Sequence, residues 1–260
     1  MGLKAASLLL LDIGNTRLKW ALAKGDQWRD GAPIVHRADD LERTLGLAFA
    51  TVPTPDAIWL ADVSQQEPSA RVVAWLKNRF ALTPRFARTP ASGSGLSNAY
   101  AEPHRLGVDR WLAMLGGHQR GRGLIVADAG SALTLDAVNA AGQHLGGLIF
   151  PGFEMLTRAL LRDTEQVRID APLRYQPSRG FRLGTSTQAC VESAINLAAI
   201  ALIERVVSEI SGELADTPRM ILTGGDALHL KSGLSGAWVV EESLVLRGLA
   251  RYASQFEEPV

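Results

Sequence analysis

The sequence predicts an α/β fold built in two similar halves, and three observations lead there. A short motif recurs: Leu9-Leu10-Leu11-Asp12-Ile13-Gly14-Asn15-Thr16 is echoed by Ile125-Val126-Ala127-Asp128-Ala129-Gly130-Ser131-Ala132. Each copy opens a three-strand meander that passes into alternating helical and strand-like stretches, the order expected of mixed sheets covered by helices. The chain has 260 residues, 47% hydrophobic and 21% charged, enough for one large or two modest folded domains, and the duplicated motif favours two.

In the first half, residues 7–13 and 17–23 read as strands around a Gly-Asn turn, and 26–35 adds a third. Residues 41–50 are helix-like, 57–61 form a short apolar strand, and 70–80 carry helical spacing through Val72, Val73, Leu76 and Phe80. Residues 89–104, rich in Ser, Gly, Ala and Pro, read as a surface loop. A helix over 107–118 places Val108, Trp111, Leu112 and Leu115 on one face. The second cycle begins at Leu124, with strands at 124–127, 132–138 and 144–150 and a helix at 152–161. Residues 162–182 read as extended, and 183–210 as the longest helix, apolar on more than one face. Cys190 is placed on an apolar face of it, in the core. A strand at 219–222, a helix at 225–230, a strand at 237–240 and a closing helix at 243–256 complete the chain. Gly-rich punctuation at 116–123 sets the join. The expected domains are therefore 1–118, with 243–260 packing back on it, and 119–242.

Composition excludes several classes. Lys plus Arg and Asp plus Glu both number 27, so the chain is neutral, with no basic block or aromatic stripe suited to nucleic acid. One cysteine excludes an internal disulfide framework and fits a reducing compartment, and five scattered histidines offer no zinc-ligand spacing. The apolar stretch 5–11 has only Lys4 before it and runs into Asp12, unlike a secretory signal. No run approaches the roughly 20 apolar residues of a membrane span. The expectation is a cytoplasmic protein without nucleic-acid or membrane partners.

The repeated motif carries chemistry. A buried strand that ends in a carboxylate and turns at glycine brings an acid and backbone N–H groups to one spot. Two such hairpins facing each other suit a metal-bound nucleoside triphosphate. An aspartate at a turn is common simply because its side chain caps local N–H groups; the second copy at Asp128 is what favours function over that reading.

Two meanders with an Asp-x-Gly turn in each resemble the acetate and sugar kinase/Hsp70/actin superfamily. A finer resemblance is to the type III pantothenate kinase family. It is carried by Asp12-Ile13-Gly14-Asn15-Thr16 with Lys19 and Trp20, Gly107-Val108-Asp109-Arg110, Asp128-Ala129-Gly130-Ser131-Ala132, Gly146-Gly147-Leu148-Ile149-Phe150-Pro151-Gly152 and Thr223-Gly224-Gly225-Asp226-Ala227. Any one of these is common; five in one order, across nearly the whole chain, are specific. Ser131 departs from the family's usual threonine but keeps a hydroxyl.

The resemblance implies two ribonuclease H-like (actin-like ATPase) domains, each a mixed sheet with flanking helices, and an active-site cleft between them. It implies ATP-dependent phosphorylation of pantothenate to 4′-phosphopantothenate, the first step of coenzyme A biosynthesis. Asp109 is then the general base toward the primary hydroxyl; positioning and charge stabilisation dominate such chemistry, so an aligned carboxylate matters more than a strong base. ATP and its phosphates fall to Asp12, Ile13, Gly14, Asn15, Thr16, Arg17, Leu18, Lys19 and Ser131. Pantothenate falls to Tyr100, Gly107, Val108, Asp109, Arg110 and Thr187. Asp12 meets magnesium through the phosphates, and Asp128 holds a monovalent cation, potassium or ammonium. The implied active unit is a homodimer. Plainer roles stand beside these: Asp109 favours the dipole at a helix start, Lys19 is an ordinary strand lysine, Arg110 a surface helix residue, and Tyr100 a loop anchor. Two other functions are open to such a chain: kinase action on another small hydroxyl or carboxyl substrate, and a non-catalytic accessory role in gene regulation.

Overall fold

The computed structural model describes residues 6–35, 40–63, 67–164, 167, 169, 183–214 and 217–256. In chain order the first half contains β1 (Ser7–Ile13), β2 (Arg17–Lys24), β3 (Gln27–Asp30), β4 (Ile34–Val35), α1 (Leu41–Ala48), β5 (Ala57–Asp62), α2 (Glu67–Phe80) and β6 (Arg85–Phe86). There follow the short strands β7 (Ser92–Gly93) and β8 (Leu96–Ser97), a 3₁₀ turn at Pro103–Arg105, and α3 (Val108–Gly117). The second half has β9 (Leu124–Ala129), β10 (Ala132–Val138), β11 (His144–Pro151), α4 (Phe153–Asp163), α5 (Thr187–Ile210), β12 (Arg219–Thr223), α6 (Ala227–Lys231), β13 (Trp238–Val240) and α7 (Leu244–Ala253).

Contacts divide these elements into two compact units, one of Met1–Ser94, Tyr100–Gly116 and Ser243–Val260, the other of Gly95–Ala99 and Gly117–Glu242. Each is built around a mixed sheet, and the strand order is the same in both. In the first unit the order is β3-β2-β1-β5-β6, with β4 on β2; in the second it is β11-β10-β9-β12-β13. The meander strands pair antiparallel, and the two later strands add parallel beyond the first. The predicted α/β class, two mixed sheets with flanking helices, is what the structure has.

Burial explains the strand assignments. Leu8 to Leu11 are all buried, as expected of a central strand covered on both faces. Leu9, Leu11 and Ile13 join Leu18, Trp20, Phe49, Leu76 and Phe80 in a core under α1 and α2. Side chains alternate along a strand, so Asp12 lies on the opposite face, which α7 covers through contacts with β1, β2 and β5. In the second unit, β9, β10, β12, α5 and α6 share a core of Ile125, Ala127, Leu135, Ile203, Leu222 and Leu230.

Several boundaries differ from expectation. The single strand expected over 26–35 is two short ones, interrupted around Gly31, whose amide returns to the carbonyl of Trp20 at 2.9 Å. The stretch 89–104 is not simply a loop: it holds β7, β8 and the start of the 3₁₀ turn, with Leu96 buried. The long helix starts at Thr187, four residues beyond the expected start at 183, because Ser186 caps it by accepting the amide of Ala189 at 3.2 Å. Most of 162–182, expected to be extended, lies outside the described residues.

Candidate active site

The first Asp-x-Gly turn lies between β1 and β2, closed by the Gly14 amide donating to the carbonyl of Arg17 at 3.1 Å. The antiparallel register sets Asp12 directly across from Lys19. Direct cross-strand partners share a face, so a carboxylate and an ammonium, both half-buried, stand side by side on the α7 face. Asn15, Thr16 and Arg17 are exposed at the turn, whereas the Ile13 and Leu18 side chains are fully buried. Those two residues can offer a ligand only backbone groups.

The start of α3 gathers five predicted residues. The Trp111 amide donates to the Gly107 carbonyl at 3.1 Å, and the Asp109 carboxylate folds back, its Oδ1 accepting the Arg110 amide at 2.8 Å. This explains Gly107: a Cβ there would stand 2.5 Å from Asp109 Oδ1. A carboxylate in the first turn also complements the helix dipole. Arg110 is not the surface residue of the plainer reading; it is only 5% exposed. Its guanidinium donates to the Tyr100 hydroxyl at 3.0 Å, with the tyrosine ring 5.9 Å away. Val108 is buried beside it. The Thr89 hydroxyl donates to the Leu106 carbonyl at 2.8 Å, fixing the approach to the helix. At the other end, Arg251 donates to the Leu115 carbonyl, and burial lowers its pKa from the ordinary arginine value.

The second Asp-x-Gly turn, between β9 and β10, is tighter. The Gly130 amide donates to the Ala132 carbonyl at 3.0 Å, and Ser131 is exposed at the tip. Asp128 pairs with Thr134 on one side and Thr223 on the other. Gly224 follows at φ +92°, and a Cβ there would stand 2.4 Å from the Ala129 carbonyl oxygen and 2.5 Å from Asp128 Oδ1. The Asp226 amide donates to that same carbonyl at 3.0 Å, so the Thr223–Ala227 motif is fastened to the Asp128 turn.

Comparison with known proteins shows the family. The family profile of type III pantothenate kinases matches residues 8–209. The chain belongs to the type III pantothenate kinase family. The enzyme of that name from Alcanivorax borkumensis is 37% identical over 249 residues, 95% of this chain and 99% of the relative. That from Marinobacter nauticus is 35% identical over 251 residues, 95% of this chain and 98% of the relative. Among solved structures, a conserved Campylobacter jejuni protein provisionally assigned as a Baf family transcriptional activator superposes with TM-score 0.55 at 19% identity, over 95% of this chain and 98% of that one. At that identity the likeness is one of fold.

Within this pantothenate kinase family member, the predicted residues fall into three groups: Asp12 to Lys19 on the first hairpin, Tyr100 with Gly107 to Arg110 around the start of α3, and Asp128 with Ser131 on the second turn. Thr187 stands apart as the exposed first residue of α5. Cys190 is a correction. It is exposed, not core, and its thiol donates to the Gly184 carbonyl at 3.3 Å. An apolar helix with little facial contrast does not reveal which of its faces is covered. Among the described residues no group of three or more His, Cys, Asp or Glu side chains could hold a metal ion. Magnesium usually keeps several waters and uses one or two carboxylates plus substrate phosphates, so a single aspartate at a strand end fits that manner of binding.

Sequence reasoning missed the Asp12–Lys19 pairing, which needs the hairpin register, and the Tyr100–Arg110 bond. It also missed a buried Asp136–His144 pair. The visible signal for that pair was an acid and an imidazole set into otherwise apolar strands.

Proposed function

We propose that this chain transfers the γ-phosphoryl group of ATP to the primary hydroxyl of pantothenate, giving 4′-phosphopantothenate and ADP, the first step of coenzyme A biosynthesis. The start of α3 carries the reading: a carboxylate held by its own helix beside a buried arginine that a tyrosine orients. Asp109 receives the hydroxyl proton as the alcohol oxygen bonds to phosphorus and the bond to the ADP oxygen breaks. Arg110 and Tyr100 hold the polar end of pantothenate, where a buried guanidinium is stronger than one in water. Gly107 and Val108 let the substrate approach the backbone, and Thr187 adds a hydroxyl.

The nucleotide falls to the first hairpin: Asp12 orders phosphate-borne magnesium, Lys19 offsets phosphate charge, and residues 13–18 present backbone and short polar groups. Ser131 meets phosphate from the second turn. Asp128 would hold potassium or ammonium, whose positive charge would offset phosphate repulsion. The domains are the two actin-like ATPase halves, 1–118 with 243–260 and 119–242, except that the strap Gly95–Ala99 and the residues from Gly117 belong to the second unit.

The active unit is a homodimer. Leu148 and Ile149 on the edge strand β11, Met155 on α4 and Leu197 on α5 are exposed, Ile149 at 68%. An apolar edge strand beside apolar helix residues is a surface that calls for cover, and a two-fold axis would supply it from the same patch. Among the described residues no helix is long and apolar enough to cross a membrane, and we place the enzyme in the cytoplasm without a nucleic-acid partner.

A coupled assay of ADP release with pantothenate, magnesium and potassium tests the reaction. Turnover that depends on pantothenate is expected; nucleotide hydrolysis indifferent to pantothenate would overturn it. Light scattering at assay concentration tests the dimer, and a fully active monomer would refute it.

A further inference from the structure

The second unit buries a hydrogen-bonded carboxylate–imidazole pair that the proposed chemistry does not use. Asp136 on β10 and His144 on β11 meet at 3.0 Å, Oδ1 to Nε2, with side-chain exposures of 3% and 0%. Burying a carboxylate costs free energy that a partner must offset, and such pairs contribute little net stability over apolar packing. The other imidazole nitrogen has a partner too: the Ala99 amide donates to His144 Nδ1 at 3.5 Å. One neutral tautomer meets both contacts, with Nε2–H donating to the carboxylate and Nδ1 accepting the amide.

Ala99 ends a short strap, Gly95–Ala99, that clusters with the second unit. The strap is tied along its length. The Ser97 amide donates to the Gly142 carbonyl at 2.9 Å, and Ser97 bridges Gln143 in parallel fashion. A Cβ on Gly142 would collide with the Gly95 carbonyl, so the β10–β11 turn is shaped to receive it. The next residue along the chain is Tyr100, whose hydroxyl accepts from Arg110. One peptide bond therefore separates the amide held by His144 from the tyrosine that orients the arginine.

We propose that His144, oriented by Asp136, is a positioning residue for pantothenate binding: it anchors Ala99 and so restricts the backbone from which Tyr100 reaches Arg110. This rests on the reading of Tyr100 and Arg110 as substrate contacts. The imidazole touches neither substrate nor nucleotide, so its effect belongs in pantothenate affinity rather than in the chemical step.

Two substitutions separate its bonds. His144→Gln can still donate to Asp136 from the Nε2 position but offers no acceptor at Nδ1. His144→Asn places an amide oxygen where Nδ1 was. Ala99→Pro deletes the N–H from the other side and leaves the buried pair intact. Each full-length variant is assayed for KM and kcat, and amide exchange is followed over 95–99. With a neutral hydrogen bond contributing about 1 kcal/mol, His144→Gln and Ala99→Pro are expected to raise the pantothenate KM about fivefold. Their kcat and ATP KM should stay within about twofold, exchange should quicken over 97–99 in His144→Gln and over 97–98 in Ala99→Pro, and His144→Asn should restore KM. An unchanged pantothenate KM in Ala99→Pro overturns the proposal, as does an equal loss in pantothenate KM, ATP KM and kcat across all three variants. If the wild-type protein does not use pantothenate, the functional reading fails instead; exchange over 97–99 that is unaltered by His144→Gln then overturns the anchoring itself.

Discussion

The two Asp-x-Gly turns share a sequence signature and a place in the topology, yet they differ in what surrounds the carboxylate. Asp12 has Lys19 across from it and Ala61 on its parallel side, so its immediate strand neighbours provide one positive charge. Asp128 has Thr134 and Thr223 in the corresponding positions, which provide hydroxyls and no charge. At the turn glycines themselves the first is the tighter, a Cβ on Gly14 lying 3.3 Å from the Arg17 carbonyl oxygen and one on Gly130 no nearer than 3.6 Å to Asp128 Oδ1. The crowding at Asp128 comes instead from Gly224 and the Thr223–Ala227 backbone. A repeated motif thus repeats the fold and not the electrostatics. A turn with its own lysine suits magnesium-bound phosphate, and a crowded carboxylate among carbonyls and hydroxyls suits a weakly hydrated monovalent cation.

The proposed function gives binding to the turns and proton transfer to α3, a division that Asp109→Asn tests most severely. A general base contributes about 10²–10⁴-fold, so kcat is expected to fall by that range while ATP binding stays near the wild-type value. A kcat within threefold of wild type would move proton transfer elsewhere and leave the turns as candidates for it.

The steric half of the contrast predicts unequal costs for the same change. Gly224→Ala must place a Cβ against a carbonyl oxygen and Asp128 at φ +92°, and should destabilise the chain by about 2–4 kcal/mol. Gly14→Ala, with only a tight contact to relieve, should cost about 1 kcal/mol or less. Urea unfolding monitored by tryptophan fluorescence reads both, and equal midpoints would mean that the second turn is not the crowded one.

Much of this frame is legible in the residues. The leucine run 8–11, ending in Asp12 and a glycine turn, reads as a buried strand, and the apolar run at 124–127 with its own Asp-x-Gly reads as a second one. The start of α3 is readable from Gly107 and Asp109 because an acid in the first turn of a helix is a local signal. What was not readable depends on register or on distance. Lys19 looks like any strand lysine until the length of the Gly14 turn sets it opposite Asp12. Asp136 and His144 approach across a β10–β11 ladder whose register shifts between Ala137 and Val138, which no local pattern announces. Cys190 was misplaced because α5 is apolar around much of its circumference, so its sequence does not say which side packs.

The electrostatic half of the contrast is tested by removing each carboxylate. Asp128→Ala is expected to blunt the activation of turnover by potassium and to raise the apparent ATP KM. Asp12→Ala is expected to weaken the magnesium dependence and to leave the relative response to potassium in place. Titrating each cation against both variants separates them, and an undiminished potassium response in Asp128→Ala would refute the cation role.

The smallest expected effect is also the most specific, because it concerns the residue directly across from each carboxylate, a lysine at the first turn and a threonine at the second. Lys19→Met keeps the length and most of the volume of the side chain while removing the ammonium across from Asp12. Lys19 is only half-buried, and partly solvated charge pairs contribute about 1 kcal/mol or less, so the ATP KM should rise no more than about fivefold, with kcat little changed. The rise should shrink as ionic strength increases, since screening already weakens the attraction that the variant lacks. Thr134→Val, the matching change across from Asp128, removes no charge, and its ATP KM should show no such salt-dependent difference from wild type. If Lys19→Met and Thr134→Val respond alike to salt, the lysine acts only as a strand neighbour, and the two turns are electrostatically equivalent toward the nucleotide.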